Sequence, residues 1–265
     1  MAGVILAVMA TLPQESDELF VPIDATVTGS LADVGLTAPR FFPSPLASTE
    51  DGLVCVGGRL APDWLLDAYR HGIFPWPVWD DEPMAWWSLD PRAVLEFELL
   101  HVSRRLQRTL RSGKFQITSN HDFAGVTHGC ATAGNRAGDT WLTPSMIAAY
   151  TELHRLGHAH SVEVWQGQEL VGGTYGVAVG GLFAAESMFY RVRDASKVAV
   201  VHLVAHLEAR GYQLLDIQQW TRHTGRLGVV TIPRTEYLRR LAAAVDLPVT
   251  FGNVLTGDPS GRCGR

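Results

Sequence analysis

Apolar and polar positions alternate weakly up to about residue 40, crowd together with Trp, Pro and Gly from Phe41 to Asp90, and become regular from Pro91 onward. In the crowded part Pro62 can open a helix. Trp64, Leu65, Ala68 and Tyr69 give that helix an apolar face, and Gly72 stops it. The run Ile73-Phe74-Pro75-Trp76-Pro77 that follows is barred from helix and from central strands, because each proline lacks a donor. It predicts a rigid aromatic loop. Beyond Pro91 the pattern predicts a strand near Ala93 to Glu98, a basic helix, a strand from Phe115 to Thr118, and helices near 122 to 132 and 144 to 156. Three strands follow at 160 to 166, 169 to 179 and 182 to 190, separated by Gly167 and by Gly180-Gly181 as tight turns. Asp194 is placed to cap a helix from 195 to 210 that Gly211 stops, a strand runs from Tyr212 to Gln219, and a last helix spans about 235 to 245. An antiparallel meander followed by a helix and a further strand is an α+β layout. Residues 1–40 read as an irregular extension and 251–265 as a tail, around a small N-terminal domain at 41–90 and a larger domain at 91–250.

Composition narrows the classes. With 265 residues, 46% hydrophobic and 18% charged, the chain has the apolar material of a folded globule. No run nears the roughly 20 apolar residues of a membrane span, and the apolar stretch Gly3 to Leu12 lacks a preceding basic residue, so neither a signal peptide nor an anchor is expected. Cys55, Cys130 and Cys263 are odd in number and widely spaced, which fits a reducing cytoplasm rather than a disulfide framework or a zinc knuckle. A net charge of −5 disfavours general nucleic-acid coating. One basic patch stands out: Arg104, Arg105, Arg108, Arg111 and Lys114, with no acidic residue between Glu98 and Asp122. Positions 104, 108 and 111 share a helical face, which either tracks a phosphate backbone or is simply solvated.

Candidate chemistry lies in two strands. Asp216 and Gln218 are polar in a strand whose Leu214 and Leu215 mark it as central, so a hydrogen-bond network or a substrate must satisfy them. Alternation places Ala184, Glu186 and Met188 on one face, which suits a pocket with one charged anchor or leaves Glu186 as an ordinary exposed strand residue. His154, His158 and His160 do not make a helical ligand pair, since Gly157 ends the helix between them; no metal is expected. Gly172-Gly173-Thr174-Tyr175-Gly176 lacks the Gly-Lys-Ser/Thr ending of a phosphate loop and is better explained by hairpin packing.

Taken in order, several segments resemble the leucyl/phenylalanyl-tRNA-protein transferase family. They are Phe42-Pro43-Ser44-Pro45, Asp51-Gly52-Leu53, Gly57-Gly58, Ala68-Tyr69-Arg70, Gly72-Ile73-Phe74-Pro75-Trp76, Trp86-Trp87-Ser88 and Asp90-Pro91-Arg92. Further on they are Thr140-Trp141, Leu153-His154, Gly157-His158-Ala159-His160-Ser161-Val162-Glu163, Glu186-Ser187-Met188-Phe189, Ala195-Ser196-Lys197, and Asp216 with Gln218. The resemblance implies a small N-terminal domain packed on a GCN5-related acetyltransferase (GNAT)-like domain with a mostly antiparallel sheet. It implies transfer of Leu, also Phe or Met, from aminoacyl-tRNA to proteins beginning with Arg or Lys, marking them for N-end rule degradation, with no cofactor and as a monomer. By the same resemblance Asp216, Gln218 and Glu186 serve catalysis. Trp76, Tyr69, Trp141, Tyr150, Met188 and Leu215 bind the aminoacyl end, and Arg104, Arg105, Arg108, Arg111 and Lys114 meet the tRNA. Leu89, Arg59, Arg105, Ala185 and Ile217 depart from the family pattern, and none of them removes a proposed catalytic group. Two other readings remain at this point: an acyl-CoA-dependent acyltransferase, disfavoured because Arg191 to Ser196 holds no glycine, and a non-catalytic binding module.

Overall fold

The structure, a computed structural model, describes residues 19–21, 29–77, 83–134 and 140–259. Much of the extension, the end of the tail and Cys263 lie outside the described residues. Among the described residues no helix is long and apolar enough to cross a membrane. Contacts divide the chain into two compact units: the residues up to Arg92 with Thr231–Val245, and Ala93–Val230 with the residues from Asp246 on. Sequence reading drew its boundaries at 90–91 and 250–251, and so did not separate the final helix from the segments before it.

In the first unit, β1 (Leu19–Phe20), β2 (Leu53–Gly57), β3 (Phe74–Pro75) and β4 (Ala85–Trp87) form a sheet in the order β1-β2-β4-β3. β1 pairs Leu19 with Gly57, and a 3-10 turn at Leu31–Val34 carries a Ser30–Asp33 capping box. Parts of the expected irregular extension are therefore regular structure, because two-residue pairing and one capped turn leave no periodicity to read. α1 (Pro62–Arg70) starts with Pro at its first turn and ends before Gly72, whose φ of 74° favours glycine and where a Cβ would come within 2.9 Å of Leu238 and Tyr237. The proline-rich run after it contributes only the short edge strand β3, where a missing donor is tolerated. Trp64, stacked on Phe41 at 4.6 Å and edge-on to Phe42, anchors the core together with Trp86. Arg92 is buried between the rings of Phe74 and Tyr237, 4.7 and 4.6 Å from their centroids, and donates to the Gly72 carbonyl at 3.1 Å. Tyr237 comes from the final helix, Arg234–Ala244.

The second unit is built on a seven-stranded sheet. Its strands are β5 (Arg92–Val94), β6 (Gln116–Ser119), β7 (Ala159–Gln166), β8 (Glu169–Val179), β9 (Leu182–Tyr190), β10 (Leu214–Gln218) and β11 (Val230–Ile232), in the order β11-β5-β10-β9-β8-β7-β6. β6 to β9 pair antiparallel and β10 returns parallel to β9. This is the expected α+β, mostly antiparallel order, with the turns at Gly167 and Gly180-Gly181 where the glycines predict them. The expected strand from Ala93 stops at Val94, since the chain folds into a 3-10 turn at Phe97–Leu99. The helices are α2 (Arg104–Arg111), α3 (Phe123–Thr132), α4 (Pro144–Arg155), α5 (Ala195–Arg210) and the short α6 (Arg222–Gly225). α5 packs on one sheet face against Val162, Val164, Phe183 and Leu215, burying most of its length as one apolar core. On the other face Phe123 of α3 and Tyr150 of α4 both meet Tyr175 edge-on, at 5.7 and 5.5 Å. Cys130 is buried in α3 as a reduced thiol.

Candidate functional site

The parallel seam between β9 and β10 pairs Leu214 with Leu182, Leu215 with Phe183 and Asp216 with Ala184, and ends there. Immediately beyond it both strands are irregular. On β9, Tyr175 faces Ser187 and Gly176 faces Ala185, so Glu186 is an extra residue, a β-bulge that re-aims its side chain. The bulge also reverses the parity of the strand. Ala184 pairs with Val177 and Met188 with Thr174, positions on opposite faces of β8, so Ala184, Glu186 and Met188 do not share one face as simple alternation predicts. Gly176 is a condition of this arrangement: a Cβ there would fall on the Ala184 carbonyl oxygen and within 2.5 Å of the Phe183 ring.

On β10, register slips between Asp216 and Gln218 against β5, and Gln218 has φ of 60°. The Gln219 N–H donates to the Ile217 carbonyl at 2.7 Å, so Gln218 is the centre of a γ-turn of the rare, strained kind with positive φ. Asp216, fully buried, accepts the Gln218 N–H at 2.8 Å and thereby holds the turn.

The two irregularities meet. Gln218 Nε2 donates to Glu186 Oε1 at 2.7 Å and the Tyr150 hydroxyl donates to Glu186 Oε2 at 2.9 Å. Gln218 and Tyr150 are buried and Glu186 is half-buried. A carboxylate only accepts, so the bond from Nε2 fixes the amide with its carbonyl oxygen turned away from Glu186. Tyr175 lies beside this cluster; burial first, and then Tyr150 and Glu186, push its hydroxyl well above the usual phenol range.

The other candidates fall in several places. Met188 and Leu215 pack on the α5 side of the sheet, and Leu215 also lines a cavity of about 110 Å³ with Glu96, Phe97 and Tyr212. Trp141 precedes α4 and is half-buried. Tyr69, buried on α1, and Trp76, whose backbone N–H donates to the Ala85 carbonyl at 2.9 Å, belong to the first unit. On α2, Arg104, Arg108 and Arg111 are exposed, as is Lys114 beyond it. Arg105 instead pairs with the Asp194 carboxylate. Asp194 stands before α5 with φ of 72° and makes no side-chain cap, so the expected cap is replaced by this ion pair: the left-handed backbone turns its carboxylate to Arg105. His154 stacks on Phe123 at 4.3 Å with Nδ1 2.8 Å from the Ala159 carbonyl. His160 stacks on Phe251, and burial pushes its pKa down to about 4. Among the described residues no group of three or more His, Cys, Asp or Glu is placed to hold a metal ion.

Tyr175 and Gly176 escaped sequence reasoning, which took the Gly172–Gly176 run as hairpin packing. Close packing is indeed its reason, against Ala195 at Gly172 and the Val162 carbonyl at Gly173, but at Gly176 that packing builds the site.

The leucyl/phenylalanyl-tRNA protein transferase family profile matches residues 94–242, and the profile of that family's N-terminal domain matches residues 58–90. Among similar proteins, the leucyl/phenylalanyl-tRNA–protein transferase of Solidesulfovibrio magneticus is 54% identical over 77% of this chain and 82% of its own. That of Magnetococcus marinus is 50% identical over 82% and 94%, and that of Chromohalobacter salexigens 53% over 76% and 78%. Among solved structures, a GCN5-related N-acetyltransferase-like protein from Streptococcus suis 89/1591 covers 71% of this chain and 82% of its own at 11% identity, with a TM-score of 0.32. With relatives named as transferases at about half identity over most of its length, the protein is an enzyme of the transferase class. The chain belongs to the leucyl/phenylalanyl-tRNA protein transferase family.

Proposed function

We propose that the protein moves leucine, and also phenylalanine and methionine, from aminoacyl-tRNA to the α-amino group of proteins beginning with Arg or Lys, in the cytoplasm and as a monomer. The product is then marked for N-end rule degradation. One observation carries the reading: Gln218, Glu186 and Tyr150 are bonded into one cluster in a chain about half identical to named transferases of this kind. The acceptor amine nitrogen attacks the ester carbonyl carbon, the bond to the ribose oxygen breaks, and the ammonium proton passes to that oxygen or to water. Energy is already stored in the ester.

Glu186 draws the cationic N-terminus in, and by holding Nε2 it presents the Gln218 carbonyl oxygen to the ammonium as acceptor. Asp216 acts through Gln218, by fixing the backbone turn that carries it. Met188 and Leu215 shape a pocket for unbranched side chains, which excludes Ile and Val near the backbone. Trp141 and Tyr150 meet the terminal adenosine and aminoacyl group, where ring stacking contributes roughly 1 to 3 kcal/mol each; Tyr69 and Trp76, in the first unit, are assigned to the same substrate by the family resemblance alone. Arg104, Arg108, Arg111 and Lys114 follow the acceptor-stem backbone, with Arg105 partly withdrawn by Asp194.

The test uses purified protein, radiolabelled leucyl-tRNA and model proteins beginning with Arg, Lys or Ala. Label is expected on the first two only, and Gln218→Ala is expected to slow transfer by roughly 10²-fold or more at unchanged tRNA affinity. Label on none, or equally on all three, refutes the reading.

A further inference from the structure

Tyr175 is directly across from Ser187, and its neighbour Gly176 is across from Ala185, so Tyr175 faces the bulge from which Glu186 emerges. Its ring lies edge-on to Tyr150 at 5.5 Å, and Tyr150 is the residue that donates to Glu186. Phe123 closes the other side at 5.7 Å. Phenylalanine would satisfy all of this packing. Tyr175 nonetheless ends in a fully buried hydroxyl with no hydrogen-bond partner among the described residues. An unpartnered buried hydroxyl opposes folding, so a state that uses it is the natural explanation of its presence.

The ionisable groups that act on it electrostatically are Tyr150, Glu186 and Cys130. Glu186 already receives two donors, and a thiol is a weak acceptor. The Tyr150 oxygen is different: it donates its proton to Glu186, and a phenol oxygen that donates can also accept.

We propose that Tyr175 is a positioning residue of the transfer site: when a substrate ammonium engages Glu186, the Tyr175 hydroxyl donates to the Tyr150 oxygen and completes a chain from Tyr175 through Tyr150 to Glu186. Donors in series strengthen one another in a low-dielectric interior. The chain holds the carboxylate in line with Gln218 while the ammonium draws on it. No covalent bond changes and no net proton moves. The inference rests on the transferase reading of Glu186.

The test is Tyr175→Phe in the full chain, with Tyr150→Phe and the double variant. Loss of an idle hydroxyl leaves the melting temperature unchanged or higher. Loss of the chain lowers kcat about tenfold, the worth of one ordinary hydrogen bond in a rate, with KM for leucyl-tRNA unchanged. The double variant is then no slower than Tyr150→Phe alone, because the chain is already cut. A kcat within twofold of wild type, a fall of several degrees in melting temperature, or multiplying rate effects in the double variant would each overturn the proposal. A wild-type protein that transfers nothing removes the transferase reading instead, and the chain is then read without turnover. The ¹³C carboxyl signal of Glu186 is titrated with arginine amide present. Tyr175→Phe must raise its midpoint, and an unchanged midpoint refutes the chain.

Discussion

Replacing Gly176 by alanine tests whether the bulge sets the site. The added methyl would fall on the Ala184 carbonyl oxygen and come within 2.5 and 2.9 Å of two Phe183 ring carbons. The obstructing oxygen is backbone, two residues before Glu186 and on the residue that pairs with Asp216, so it has no flexible end to swing aside. β8 and β9 must part by roughly 1 Å to restore van der Waals spacing. Such overpacking costs about 1 to 3 kcal/mol, which lowers the melting temperature by roughly 2 to 12 °C in a chain of this size. A 1 Å displacement of Glu186 relative to Gln218 costs about 10²-fold in transfer. Gly173→Ala is the control. Its methyl meets the Val162 carbonyl at 2.9 Å, on the β7 side and away from the bulge, so stability falls while transfer per folded molecule persists. Differential scanning fluorimetry and single-turnover transfer to a protein beginning with Arg give both numbers. A Gly176→Ala protein with wild-type melting and a rate within twofold would refute the link between this glycine, the bulge and the carboxylate.

Three further outcomes are expected. Arg108→Ala lowers the salt slope of tRNA binding by about 1, whereas Arg105→Ala, already paired with Asp194, lowers it by clearly less; equal slopes in filter binding would count against the proposed phosphate-facing set. His160 is held neutral by burial, with a pKa of about 4 against an ordinary 6.5. The unfolded chain therefore takes up a proton first as pH falls, and stability, fully present above pH 6.5, drops by roughly 3 kcal/mol toward pH 4. His202 and His206, also pushed down by burial, add to the same trend, and His160→Gln should visibly flatten it in urea titrations across that range; an unaltered slope would reject the assignment. Arg92→Met removes the bond to the Gly72 carbonyl and two ring contacts, and should cost about 2 to 4 kcal/mol in denaturant unfolding; a loss below 1 would show that the caged charge contributes little.

The meander and its helices were legible because the signals are local. Gly167 and Gly180-Gly181 mark the turns, Gly211 ends α5, and Asp216 and Gln218 are conspicuous as polar residues in an apolar strand. What alternation cannot carry is a register change. The bulge at Glu186 and the γ-turn at Gln218 are set by which residues pair across the sheet, and a single extra residue reverses every expected facing beyond it. Asp194 shows the same limit, since its carboxylate answers to Arg105, 89 positions away, rather than to the helix beside it. Tyr175 gave no signal, because an aromatic in a glycine-rich strand reads as core.

The interleaving of the two units bears on the order in which the protein can mature. The Arg92 cage needs Tyr237, and the ring of Phe251 that covers His160 and lies on His206 comes later still. On the ribosome, the segments made first therefore wait for those made last: the first core is not sealed until synthesis has passed Tyr237, nor the second until it has passed Phe251. A nascent chain interrupted before that point lacks a piece of the second core, and one interrupted before Tyr237 lacks a piece of each. Premature release thus yields an open fragment exposed to proteases rather than a half-working enzyme.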